Sequence, residues 1–299
     1  MAQAATRARR PRSWKRTLIA LAFLAPAAGL YGWLILGSFV RAIQYSFYDW
    51  NGVGEATFVG TKNYVDIFTN ASKLVTLLHS FELMVFFTGG TLVLALAAAA
   101  LTGHVARRRG GDLVRTVLFL PQVIPMAASA IGWSWIYSRE GLVNQILDAV
   151  GLSGITRAWL GDTKTALVAI GFIGTWALLG ITTMMLSSGI TKIDQGLYEA
   201  ARLDGANAWQ EFRAVTLPGL RREIVVCATM TIIAALASFD IVYMTTQGGP
   251  ARATMVPGVE VYFLAFSQQK VGAAAAMGIV LMAVVLLVII PLQKLSSKD

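Results

Sequence analysis

A single cysteine, Cys227, two histidines, His79 and His104, and no Gly-Lys dipeptide occur in 299 residues. One thiol excludes an internal disulfide or a cysteine metal cluster, and two histidines that are not spaced as a ligand pair leave little for metal catalysis. A phosphate-binding Walker loop requires Gly-Lys-Ser/Thr after a strand, so the chain is not expected to hydrolyse ATP. No cofactor of its own is therefore expected, and no enzymatic activity. Charge is scarce too, at 14% of residues against 56% hydrophobic and a mean hydropathy of +0.62. One soluble core cannot hide that much apolar surface, whereas a bilayer can.

What the chain has is long apolar runs. About 20 apolar residues at helical rise cross a hydrocarbon core of roughly 30 Å. Six runs of that kind occur, at 17–40, 76–102, 113–137, 166–190, 224–245 and 271–292. None alternates with the period of an outer-membrane strand. The expected fold is all-α, a polytopic membrane helical bundle of about six transmembrane helices. Arg7, Arg9, Arg10, Arg12, Lys15 and Arg16 precede the first run, as in a signal peptide, but that run reaches Val40 without a small-residue cleavage pattern. A retained helix is expected there.

The formal charge of +9 is sided. Lys and Arg gather in the N-terminus, at Arg107-Arg108-Arg109 and Arg115, in 192–222 and at Lys294 and Lys298, and are sparse in the alternate loops. The positive-inside rule then places both termini and the second and fourth loops in the cytoplasm of a cell whose inner membrane holds the chain. The basic surplus is topological, and a nucleic-acid partner is not expected. The expected organisation is a basic cytoplasmic tail (1–16), a first membrane helix with an external segment (17–75), a membrane core (76–292) containing an internal loop (191–223), and a cytoplasmic tail (293–299).

Pro121 and Pro125 remove backbone donors from the third run and predict a kink or break. The external loop 138–164 has room for a short interfacial helix around 143–150. The loop 191–223 exceeds what a connector needs. Helix formers run from Leu197 to Asp204, Gly205 interrupts, and Asn207 can cap a second helix through Arg213 that stops before Pro218. A charged helix-turn-helix outside the bilayer reads either as a cap on the bundle or as a docking surface for another protein.

Glu199-Ala200-Ala201, then Gly205 after three residues, then Val215-Thr216-Leu217-Pro218, resembles the EAA loop of binding-protein-dependent ABC importer permeases. Further stretches are similar to the carbohydrate-uptake branch, with its maltose and glycerol-phosphate permeases: 46–51, Phe58-Val59-Gly60, Asn63-Tyr64, Pro121, Trp135, Gly141, Asn144, Phe239-Asp240 and 246–250. Val215 stands where isoleucine is more usual, Thr61 replaces a common leucine, and the start of the second run, His79-Ser80-Phe81-Glu82, lacks the usual Asn-Thr, which makes Glu82 a local peculiarity. The resemblance implies a cytoplasmic coupling helix that inserts into a cleft of an ATPase subunit. Glu199, Ala200, Ala201, Asp204, Gly205, Leu217 and Pro218 are its docking residues. It also implies an alternating-access cycle with a second permease subunit, an ATPase dimer that binds ATP and Mg, an extracytoplasmic sugar-binding protein, and membrane lipid around the chain.

In the fifth run Thr231, Ala234, Ala235 and Ser238 recur at helical spacing as a small, partly polar face. Close helix packing alone accounts for such a face. In the family the corresponding face, with the fourth run near Ala177, Leu178 and Ile181, borders the sugar. Asp240 is placed to bind sugar hydroxyls, pair with a neighbour or cap a helix, and Trp176 offers a stacking face or ordinary packing. A secondary transporter would need intramembrane ion-coupling acids, for which Glu82 and Asp240 are thin. A membrane enzyme would need a catalytic cluster that the sequence lacks. An ABC permease for another solute is the nearer rival.

Overall fold

The computed structural model describes residues 14–105 and 111–296. Arg7, Arg9, Arg10 and Arg12 of the N-terminal tail, the Arg107-Arg108-Arg109 turn and Lys298 lie outside the described residues. Helices dominate, as the apolar runs require. They are α1 (Leu18–Tyr45), α2 (Lys62–Thr69), α3 (Ala71–Ala100), α4 (Gly111–Val123), α5 (Met126–Ile136), α6 (Leu142–Ala149) and α7 (Ala166–Ile190). These are followed by α8 (Gln195–Leu203), α9 (Ala208–Glu211), α10 (Arg221–Leu236), α11 (Asp240–Thr245), α12 (Pro257–Tyr262) and α13 (Val271–Ser296). The first span extends five residues past its expected end at Val40, to Tyr45.

Among the described residues four helices are long and apolar enough to cross a bilayer: α1, α3, α7 and α13. The third run is broken, as its prolines predict, with Thr116–Val123 and Met126–Ile136 meeting at 105° around Pro125. The fifth run departs from expectation. Instead of one helix over 224–245, α10 ends at Leu236 and α11 starts at Asp240. At 1.5 Å per residue, the 16 residues of α10 reach about 24 Å, short of a bilayer core. No Gly or Pro lies at the break, but a neighbouring segment packs closely there. Gly258 of α12 presses so closely on it that a Cβ there would lie 2.8 Å from the Ser238 carbonyl oxygen.

The core sits where α7 meets α3, α5 and α10. Leu83, Phe87, Ala130, Ile170, Ile173, Ala235 and Val256 are buried together. α1 behaves differently, for its most apolar stretch has no residue buried within this chain. Its cover must come from outside the chain, which is what a bilayer or a second membrane subunit supplies.

The segment after α1 folds on a two-residue antiparallel ladder, Tyr48 opposite Phe58 and Asp49 opposite Thr57, that the all-helical reading does not contain. Asn63 Nδ2 donates to the carbonyls of Ser46 and Tyr48, and Tyr45 stacks on Trp50 at 4.1 Å. The short helix expected in the 138–164 loop appears at Leu142–Ala149, and Asn144, 2% exposed, organises its loop. Its Nδ2 donates to the carbonyls of Ser138, Arg139 and Arg157, while its Oδ1 accepts from Trp159 Nε1 at 2.8 Å. Gly141, just before the helix, has no space for a side chain, because a Cβ would collide with the carbonyl oxygens of Trp135 and Ile136.

Candidate functional site

Between the last turn of α7 and the first turn of α10 the chain folds into the hairpin that the charge pattern and turn residues predict. Asp194 opens α8, its carboxylate accepting from the Gly196 amide at 3.0 Å. At the far end the Ala206 amide donates to the Ala201 carbonyl and the Gly205 amide to that of Arg202. These two bonds make a Schellman termination, and they place Gly205 at φ +82°. Asn207 and Gln210 then form a reciprocal capping box at the start of α9.

The second helix does not stop at Arg213. After Glu211 the backbone widens into a π-type turn over Phe212–Thr216 and continues as Leu217–Gly219. Pro218 therefore lies inside the helical path. The helical path ends one residue later, at Gly219, so the proline sits at its close.

One side of the hairpin is fastened to the bundle. Tyr198 and Val215 pack against Leu186, Ile193 and Leu220, and the Tyr198 hydroxyl lies 3.0 Å from Thr216 Oγ1. The other side is open. Glu199, Ala200, Asp204, Gly205, Leu217 and Pro218 are exposed, and Ala201 is half-buried. Leu197, Trp209 and Leu203 are exposed as well, Leu203 to 90%. Across the turn, Arg202 and Glu211 form a forked ion pair, and the Glu211 hydrogen bond and charge, with a smaller contribution from Glu199, hold the guanidinium above its usual pKa. This pair and the exposed apolar trio were missed in the sequence. Arg202 and Glu211 are nine positions apart, outside any helical neighbour rule.

The residues read as a substrate pathway are distributed unevenly. Thr231 and Ala235 of α10, Ser238 at the break and Ala177 of α7 are buried in the subunit's own packing. The Thr231 hydroxyl is spent on the carbonyls of Cys227 and Ala228. Ala234, Ile181 and Trp176 are half-buried, and Trp176 meets Trp133 edge-on at 5.5 Å. Asp240 is exposed and neither caps a helix nor pairs with a base among the described residues. Glu82 is exposed on α3. Among the described residues no group of His, Cys, Asp and Glu is arranged to hold a metal.

Residues 91–299 match the family described as binding-protein-dependent transport system inner membrane component. The diacetylchitobiose uptake system permease protein NgcF of Streptomyces coelicolor is 34% identical, over 93% of this chain and 82% of that protein. The lactose transport system permease protein LacF of Rhizobium radiobacter is 32% identical, over 82% of each. In structure, the chain superposes on one from a bacterial ABC transporter involved in import of the acidic polysaccharide alginate, with a TM-score of 0.82, 20% identity and coverage of 96% and 98%. The chain thus belongs to the binding-protein-dependent transport system inner membrane component family and is a multi-pass ABC transporter permease.

Proposed function

We propose that this permease is half of the translocation pathway of an ATP-driven sugar importer. It works with a second permease of the same family, an ATPase dimer that carries ATP and Mg, and an extracytoplasmic binding protein. The observation that carries the reading is the placement of the hairpin: α8 and α9 join the end of α7 to the start of α10, the two helices that bear Ala177, Ile181, Thr231, Ala234 and Ala235. A displacement imposed on Glu199, Ala200 and Ala201 is passed to both helices through the Tyr198–Thr216 bond and the Leu220 packing.

The chemistry of each docking residue is simple. Glu199 offers a carboxylate for a charge-assisted bond in the ATPase cleft, Ala200 and Ala201 allow close backbone approach, and Gly205 turns the chain away before it meets the cleft wall. Closure of the ATPase dimer then favours one arrangement of the two permease halves over the other, because the nucleotide states bind the two arrangements with different affinity. Sugar as the cargo is supported by the names of the two relatives and by resemblance to the carbohydrate branch along most of the chain.

The test is uptake into proteoliposomes holding the permease pair and ATPase, with binding protein outside and ATP inside. Radiolabelled diacetylchitobiose, lactose, glycerol 3-phosphate and a set of amino acids are the probes. ATP-dependent accumulation of a sugar is expected. Accumulation of an amino acid and no sugar overturns the cargo, and uptake driven by a proton gradient without ATP overturns the coupling.

A further inference from the structure

Residues 246–256, between α11 and α12, form a strap over the first turns of α3. That end of α3 is remote from the hairpin, since Ala95 and Ala99 near the other end pack with Leu186 and Ile193. The strap is tied to itself. The hydroxyl oxygens of Thr246 and Thr254 lie 2.6 Å apart, and the Thr254 hydroxyl donates to the Gly249 carbonyl at 2.7 Å. Gln247, Ala251 and Arg252 have φ of +52°, +47° and +65°. Non-glycine residues are uncommon in that left-handed region and persist where their surroundings fix them.

The fixing groups come from two other helices. Glu260 of α12 is buried, with 5% of its side chain exposed against 43% for Arg252, and its Oε2 accepts from Arg252 Nη2 at 2.7 Å. The same Nη2 comes within 3.4 Å of Thr76 Oγ1 on α3, whose own proton goes to the Ser72 carbonyl. One turn further along α3, His79 Nδ1–H donates to the Met255 carbonyl at 2.9 Å, since a carbonyl oxygen only accepts. One guanidinium and one imidazole thus join α3, the strap and α12.

Stability alone is a poor reason for the pair. Two buried ions lose their water, and apolar side chains of the same size do as well in their place. Once a buried carboxylate is present, however, parting it from its cation leaves it uncompensated, so the pair commits α12 to one seat against α3. That seat bears on the pathway. Gly258, on the same short helix as Glu260, is packed so closely that a Cβ would lie 2.8 Å from the Ser238 carbonyl oxygen. Ser238, with Ala234 one turn before it, belongs to the face read as lining the pathway.

We propose that Glu260 is a positioning residue for the pathway. Through Arg252 and Thr76 it holds the strap and α12 against α3, and through Gly258 it sets where the break after α10 lies. The strap and α3 stay together through the transport cycle, because separation strands the Glu260 carboxylate in the interior. The inference rests on the pathway reading above.

The experiment measures uptake by the assembled transporter, with whichever labelled solute of the set above wild type accumulates. Arg252→Met and Glu260→Gln are expected to lower uptake about tenfold or more with ATPase co-purification unchanged, and Arg252→Lys, which keeps the charge, retains more of it. Ser72 and Ala253 line one cavity of about 310 Å³ between α3 and the strap, so Ser72→Cys and Ala253→Cys are joined with a short bismaleimide, while Cys227 is buried and does not compete. The cross-link is expected to leave uptake intact in the otherwise native chain and to restore it in Arg252→Met, which a folding defect would not permit. Arrest of transport by the cross-link in the otherwise native chain shows that the strap must leave α3 and overturns the proposal, and this comparison decides even where a charge variant fails to insert. Undiminished uptake in both Arg252→Met and Glu260→Gln overturns it as well. Wild-type uptake of an amino acid alone, or without ATP, overturns the importer reading instead, and the same cross-link comparison made with that solute still judges the strap.

Discussion

Arg202 Nε and Nη2 lie 2.9 and 3.2 Å from the two carboxylate oxygens of Glu211, clamping α8 to α9 across the turn at Gly205. The guanidinium is largely in solvent while the carboxylate is mostly covered, at 60% and 13% side-chain exposure. Water screens such a pair, so its effect is expected in geometry more than in stability. Reversing either charge, Arg202→Glu or Glu211→Arg, is expected to lower transport-coupled ATPase activity severalfold. The double exchange restores it, since the fork forms again with its partners swapped. Full coupling in both single variants would remove the clamp from the mechanism.

Glu199→Ala tests the docking contact itself. The side chain is exposed, so the variant is expected to insert and fold while losing the charge-assisted bond proposed for it in the ATPase cleft. About ten- to a hundredfold weaker retention of the ATPase is expected at equal permease content. Undiminished co-purification would count against this face of the hairpin.

Gly205 sits at φ +82° with open space where a Cβ would project, so only the backbone objects to a side chain. Gly205→Val is expected to cost about 1–2 kcal/mol in hairpin formation and to impair coupling, while Gly205→Asn retains most of it. Equal loss in both variants would point to space, not φ, as the constraint.

Asn144 gives a stability prediction on the opposite side of the bundle. Asn144→Leu removes the donor to three carbonyls and the acceptor for the Trp159 indole, hydrogen bonds worth about 0.5–1.5 kcal/mol each. Faster proteolysis within the 138–164 loop is expected, with ATPase docking unchanged. Asn144→Asp is expected to be no better, because it keeps the acceptor but buries a charge beside three carbonyls. A wild-type digestion pattern in both would show that the loop is held by other contacts.

Orientation is tested by labelling. Cys227 is buried and stays silent, so Glu55→Cys and Arg213→Cys, both at exposed positions, act as reporters. A membrane-impermeant maleimide is expected to reach Glu55→Cys from outside and Arg213→Cys only from the cytoplasm. The reverse pattern would invert the topology.

What could be read from the sequence depended on rules of short range. The length of apolar runs located α3, α7 and α13, Pro125 marked the bend between α4 and α5, and Asn207 and Gly205 marked the caps and turn of the hairpin. Each is local in sequence, and Glu199, Ala200, Ala201 and Gly205, which the resemblance marks as docking residues, sit within a single helix and its cap. The tertiary structure alone decided the rest. The fifth run looks continuous in sequence but breaks where Gly258, twenty residues beyond Ser238, packs against it, and the wide turn over Phe212–Thr216 carries the second hairpin helix past Arg213. The same packing brings Tyr262 and Phe266 to Phe239 and Tyr243. Hydropathy and capping act along the chain, whereas close approach and ring stacking act between segments that only folding makes neighbours.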